Sequence, residues 1–148
     1  MDTLSRIALI DDNRSWRETV AEYLQAKGFE VSPVEDGRGG LRLLEAGDIH
    51  LAVIDFHLGE TNGLQLLRAV RHRRQPLAAF LMSSDEDPTL PARALAEGAR
   101  AFISKSLAPA TFLRTLLHTL RTAEPHFPLV IRRAIWLPMV ASRDPRRN

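Results

Sequence analysis

Four apolar runs in this chain of 148 residues each end on a polar side chain suited to phosphoryl chemistry. Ile7 to Ile10 leads into Asp11 and Asp12. Leu51 to Ile54 leads into Asp55, Ala79 to Met82 into Ser83, and Ala101 to Ser104 into Lys105. Unbroken apolar runs of this length suit strands covered on both faces of a parallel sheet. Parallel strands all point one way, so the residues after their ends collect along one sheet edge, where open α/β sheets place their sites. Three carboxylates, a hydroxyl and an ammonium meet on that edge. Mg²⁺-dependent phosphorylation of an aspartate is the first chemistry to test against such a set. Taken singly, the acidic pair reads as a helix cap, Asp55 as a turn residue, Ser83 as a loop hydroxyl and Lys105 as a solvated strand end. Their joint placement is what points to a site.

The segments between those runs read as helices. Asn13 or Asp12 can cap a helix from about Arg14 to Lys27, with Trp16, Val20, Tyr23 and Leu24 on one face and Gly28 as its stop. Glu30 to Val34 reads as a short second strand and Gly37 to Glu45 as the second helix. Phe56 to Asn62 reads as a loop, and Gly63 opens a helix carrying Leu64, Leu67 and Val70 that Pro76 breaks. Asp85 to Pro88 is an acidic helix start, delayed by Pro91, which removes a backbone donor. A last helix begins at Pro109, with Phe112, Leu113, Leu116, Leu117 and Leu120 as its apolar stripe. Five βα units in alternation predict a doubly wound α/β domain with a parallel sheet and right-handed crossovers. The tail from about residue 123 to 148 differs: Pro125, Pro128, Pro138 and Pro145 argue against a long helix there, and Ile131, Ile135 and Trp136 could dock on the domain or on a partner.

Composition narrows the class. Hydrophobic content of 45% supports a packed core, and the absence of cysteine excludes disulfides and thiolate metal sites. The formal charge of +2 is too small to argue for nucleic acid. Lysine occurs only at Lys27 and Lys105, in a chain whose other basic residues are arginine, so a lysine at the end of the last strand stands out. No stretch approaches the roughly 20 apolar residues of a membrane span, and the N-terminus carries no signal-peptide pattern, so a cytoplasmic protein is the expectation.

From about Arg6 to Leu120 the chain resembles the receiver domain of two-component response regulators. The resemblance rests on the Asp11-Asp12 pair, on Asp55 with the Leu58 to Gly63 loop, on Ser83, and on Lys105 with Phe102 three residues before it. It implies a flavodoxin-like (βα)5 fold with strand order 2-1-3-4-5 and a receiver domain over residues 1–122. Asp55 would be the phosphoacceptor. Asp12, Asp55 and the backbone carbonyl of His57 would bind Mg²⁺, with Asp11 acting through a metal-bound water. Lys105 would neutralise phosphoryl oxygens, Ser83 would donate a hydrogen bond to them, and Ser83 with Phe102 would form a switch. The resemblance further implies a sensor histidine kinase or phosphotransfer protein as donor. The signal would leave by protein contacts of the face built from the fourth helix, fifth strand and fifth helix. A homodimer is compatible with this; direct DNA binding, a membrane role and enzyme activity beyond the chain's own phosphorylation and dephosphorylation are not expected.

Departures from the pattern sharpen the alternatives. Ser106 follows Lys105 where receivers usually carry a proline, which puts the reach of Lys105 in question. Gly59 replaces another common proline. The main alternative is a receiver-like interaction module that is never phosphorylated. A phosphohydrolase of the haloacid-dehalogenase type would need Asp-x-Asp after the first strand, whereas here the pair is adjacent and the nucleophile candidate lies on the third strand. A flavin binder of the same fold would need a Ser/Thr/Gly-rich phosphate loop where Asp11 and Asp12 stand.

Overall fold

The computed structural model describes residues 6–126 apart from 47, 72 and 74–76, with residues 122–126 described as backbone only. The elements run β1 (Arg6–Ile10), α1 (Arg14–Ala26), β2 (Glu30–Val34), α2 (Gly37–Glu45), β3 (Leu51–Asp55), β4 (His57–Leu58), β5 (Thr61–Asn62), α3 (Gly63–Ala69), β6 (Ala78–Ser83), α4 (Leu90–Ala96), β7 (Ala101–Ser104) and α5 (Pro109–His126). Five strands form one parallel sheet in the order β2-β1-β3-β6-β7. Counting only those five strands, this is the doubly wound order 2-1-3-4-5. The short strands β4 and β5 pair with each other as an antiparallel hairpin.

Each apolar run splits by parity into two cores, as strand pleating requires. Ile7, Leu9, Val53, Phe80, Met82 and Ile103 face one side and pack against Val20 and Leu24 of α1 and Phe112, Leu116 and Leu120 of α5. Ala8, Ile10, Ile54, Leu81 and Phe102 face the other side and meet Leu44, Leu64, Leu67, Leu90 and Ala94 of α2, α3 and α4. Strand β2 is an edge, bonded to β1 alone, and accordingly tolerates Pro33.

Helix starts are set by side chains. Asn13 caps α1 by accepting from the Trp16 N–H at 2.9 Å, and Asp36 caps α2 by accepting from the Gly39 N–H at 2.7 Å. Asn62 and Gln65 form a reciprocal capping box on α3. Gly28 ends α1 at φ +100°, a left-handed conformation that favours glycine. Helix α4 begins only at Leu90, with Pro91 in its first turn and no side-chain cap, so the acidic residues before it lie in the preceding loop.

Two expectations change. The segment from Phe56 to Asn62 contains the β4–β5 hairpin, turned at Gly59 with φ +77°. A proline, locked near φ −65°, could not adopt that turn. Helix α5 continues to His126, four residues past Thr122 and through Pro125. Pro125 lies in the last described turn, and its missing N–H removes a single backbone bond. Residues 127–148, with Ile131, Ile135 and Trp136, lie outside the described residues, as do Arg74 and Pro76.

Candidate functional site

The parallel sheet delivers the strand ends to one edge. Register pairs Ile10 with Ile54, Asp55 with Met82, and Ser83 with Ser104, so Asp11, Asp55, Ser83 and Lys105 lie side by side. The loop after Asp55 is held to the sheet by the Phe56 N–H donating to the Met82 carbonyl and the Gly63 N–H donating to the Phe56 carbonyl, both at 2.8 Å. Gly63 makes this close return possible. A Cβ there would lie 2.8 Å from the Asp55 carbonyl oxygen and 2.6 Å from Leu81 Cδ1.

Asp11 is fully buried and Asp55 is 4% exposed, whereas Asp12 is exposed. The Asp11 Oδ1 accepts from the Asn13 N–H at 2.9 Å, and its backbone carbonyl accepts from Arg17 Nη1 at 2.7 Å. The ammonium of Lys105 joins the two buried carboxylates, lying 2.8 Å from Asp11 Oδ2 and 3.3 Å from Asp55 Oδ1. One ammonium does not balance three carboxylates. Burial pushes the Asp55 carboxyl up to about 6; Lys105 opposes the rise, and the negative charges of Asp11 and Asp12 add to it.

Carboxylate oxygens of Asp11, Asp12 and Asp55 lie within 4.8 Å of one another. An all-oxygen set with excess negative charge fits a hard divalent cation such as Mg²⁺, which needs few protein ligands because it keeps several waters. The side chain of His57 is not in this cluster. It points outward, with Nε2 3.3 Å from Asp85 Oδ2 and its ring edge-on to Phe56.

Ser83 is fully buried, and its Oγ accepts from the Asp85 N–H at 2.9 Å, which leaves the hydroxyl proton available to a further acceptor. Its carbonyl accepts from the Lys105 N–H at 2.8 Å and thereby fixes the start of the loop that follows. In that loop the Ser106 N–H donates to Ser104 Oγ at 3.1 Å, and the two hydroxyls are 2.5 Å apart. Serine in place of proline closes this loop without taking Lys105 away from the carboxylates. Phe102 is 4% exposed and lies in the core beside Leu81, its partner in register.

The geometry thus brings together Asp11, Asp12, Asp55 and Lys105, with Ser83 on the adjoining strand end. Sequence reasoning missed Arg17 and Asp85. Arg17 lies one turn past the cap Asn13, a spacing that could have suggested it reaches back over the strand end. The meeting of Asp85 with His57, across 28 residues of chain, has no local signal. Trp16 of α1 lies beside the site. Its ring packs edge-on to Phe112 at 5.0 Å, and the Lys105 ammonium lies 5.4 Å from its centroid.

A family model described as the response regulator receiver domain matches residues 7–118. Regulatory protein VirG of Agrobacterium tumefaciens is 29% identical over 121 residues, which make up 81% of this chain and 45% of VirG. Two-component response regulator ORR3 of Oryza sativa subsp. indica is 28% identical over 111 residues, covering 73% of this chain and 85% of ORR3. Peroxide stress-activated histidine kinase mak3 of Schizosaccharomyces pombe is 27% identical, and this chain spans 5% of its length. The chain therefore covers less than half of two of these relatives. Among solved structures, a CheY-like receiver domain protein from Methanospirillum hungatei has a TM-score of 0.71 at 25% identity, covering 82% of this chain and 98% of that one. Chemotaxis response regulator CheY4 of Vibrio cholerae has a TM-score of 0.70 at 26% identity, covering 78% and 98%.

Proposed function

Since the chain belongs to the response regulator receiver domain family, a family of signalling domains, we propose that it is phosphorylated on Asp55 and passes that event on through protein contacts. The observation that carries this reading is the buried Asp55 carboxylate beside the Lys105 ammonium and two further carboxylates. A histidine kinase or a phosphotransfer protein would be the donor. An Asp55 carboxylate oxygen would attack the phosphorus of a phosphohistidine. The P–N bond would break with its electron pair left on the imidazole nitrogen, and an acyl phosphate would form on Asp55. The same carboxylate would accept from a small acyl phosphate, with a carboxylate as the leaving group.

Each neighbour would have a part. Lys105 would meet the negative charge of the phosphoryl oxygens as a point cation. Ser83, with its proton free, would donate to one of those oxygens. Asp12, Asp55 and the backbone carbonyl of His57 would hold Mg²⁺, with Asp11 behind them. When bound, the metal supplies the positive charge that lets a phosphoryl dianion approach carboxylates which otherwise repel it; two such charges about 4 Å apart cost ~4 kcal/mol at an effective dielectric near 20. Movement of Ser83 towards the phosphoryl group would be felt by Phe102, and the altered surface would be that of α4, β7 and α5. The test is covalent labelling by acetyl phosphate with Mg²⁺, lost in Asp55→Asn.

A further inference from the structure

The ammonium of Lys105 has three walls. Two are the carboxylates of Asp11 and Asp55, at 2.8 and 3.3 Å. The third is the indole face of Trp16, 5.4 Å from Nζ to the ring centroid, within the range of a cation–π contact. The Lys105 side chain is 11% exposed, so this contact is largely shielded from water. Trp16 is itself well fixed. Its backbone N–H is tied to the Asn13 cap, and its ring stands edge-on to the fully buried Phe112 at 5.0 Å and 63°.

The indole Nε1 is buried, with no hydrogen-bond partner among the described residues. Buried tryptophans ordinarily give that N–H to an acceptor, because an unpaired buried donor is costly. The ring is therefore held in this pose by its edge and face contacts with Phe112 and the Lys105 ammonium rather than by its polar end. We propose that Trp16 is a positioning residue for Lys105, keeping its ammonium on the Asp55 side of the pocket while phosphorylation changes what the ammonium faces. The argument rests on the phosphoacceptor reading of Asp55. In that step one Asp55 oxygen becomes the bridging oxygen of the acyl phosphate, the electron pair of the broken bond leaves with the donor, and the phosphoryl oxygens bring their own negative charge into the pocket. The pairing between Lys105 and Asp55 must then be remade. A lysine head on a flexible four-carbon stem would otherwise swing out to water. The uncharged Trp16 wall takes no part in the chemistry, so it can face the ammonium throughout.

The experiment has two arms, both on the full chain. In the first, proton NMR reads the ε-methylene of Lys105, which is simple to assign because Lys27 is the only other lysine. The Trp16 ring current should move this signal upfield. The displacement should vanish in Trp16→Leu and persist in part in Trp16→Phe. In the second arm, the rate of labelling by acetyl phosphate with Mg²⁺ should fall about fivefold to tenfold in Trp16→Leu, between the scales of an exposed and a fully desolvated cation–π contact. Trp16→Phe, which keeps an aromatic face, should recover most of the rate. In a Lys105→Met background, Trp16→Leu should cause no further loss of the residual rate, as required if it acts through Lys105. An undisplaced Lys105 signal, or an equal loss with and without Lys105, overturns the inference while leaving the phosphoacceptor reading intact. A wild-type chain that takes no label overturns that reading and the positioning role with it, whatever the NMR arm shows. If Trp16→Leu does not fold, Trp16→Met, which likewise lacks an aromatic face, takes its place in both arms with the same expected and overturning results.

Discussion

Asp55→Asn should stabilise the metal-free protein at neutral pH. The wild-type carboxylate is buried among Asp11 and Asp12, and its ionisation is disfavoured enough to raise it from an ordinary 3.8 to about 6. At about 1.4 kcal/mol per pH unit, that is a penalty of up to ~3 kcal/mol while the group is ionised. Asparagine keeps the shape and removes the charge, and Lys105 retains Asp11 at 2.8 Å as a partner. Some of the gain is offset because a buried amide needs partners of its own, so ~1–3 kcal/mol is expected. That is a large fraction of a small domain's net stability of roughly 5–15 kcal/mol. The sign with pH follows from linkage. A carboxyl raised in the folded state binds more protons folded than unfolded between about pH 4 and 6, so wild-type stability should rise on acidification through that window. The penalty is fully present above about pH 6 and absent below about pH 4. Urea unfolding of both proteins without divalent cations, at pH 7.5 and again near pH 4, isolates the term, because the other titrating groups largely cancel in the difference. The advantage of Asp55→Asn should appear at the higher pH and vanish at the lower. A variant less stable than wild type at pH 7.5, or an advantage that does not change with pH, would show that burial does not disfavour the Asp55 charge as argued.

Adding Mg²⁺ should stabilise the wild type by mass action and shrink the Asp55→Asn advantage; a Tm that ignores Mg²⁺ up to tens of millimolar would count against a metal at this edge. Asp12→Asn should weaken Mg²⁺ binding, followed by Trp16 fluorescence in a Trp136→Phe background, and an unchanged titration would mean that Asp12 is not a ligand. Gly63→Ala should cost ~1–3 kcal/mol by urea unfolding, because its Cβ would press on the Asp55 carbonyl oxygen and Leu81, whereas a neutral result would show that the turn relaxes freely. Lys105→Met should slow labelling by acetyl phosphate without lowering Mg²⁺ affinity, and an unaffected rate would remove Lys105 from the chemistry.

The sheet was legible because its signal is local. Unbroken runs such as Leu51 to Ile54 and Ala79 to Met82 are buried on both faces, and the cap Asn13 and the stop Gly28 mark the two ends of α1. The carboxylates and Lys105 were legible for a related reason: parallel strands give the direction of each end, so adjacency along the edge follows from topology. What the residues left open depends on backbone detail or on distant pairing. The β4–β5 hairpin needs the positive φ of Gly59, and two-residue strands carry no periodicity. The run of α5 through Pro125 reflects a helix already propagated over many residues, which can lose one bond. The contacts of His57 with Asp85, and of Trp16 with both Phe112 and Lys105, join segments far apart in the chain and could not be read from spacing.

The central claim, that Asp55 is a phosphoacceptor, is tested most directly by intact mass after incubation with acetyl phosphate and Mg²⁺. The wild-type chain should gain the mass of a single phosphoryl group, lose it again under conditions that hydrolyse acyl phosphates, and gain nothing as Asp55→Asn. A wild-type chain that stays unmodified while another receiver domain in the same tube is labelled, or an Asp55→Asn chain labelled as readily as wild type, would contradict the account.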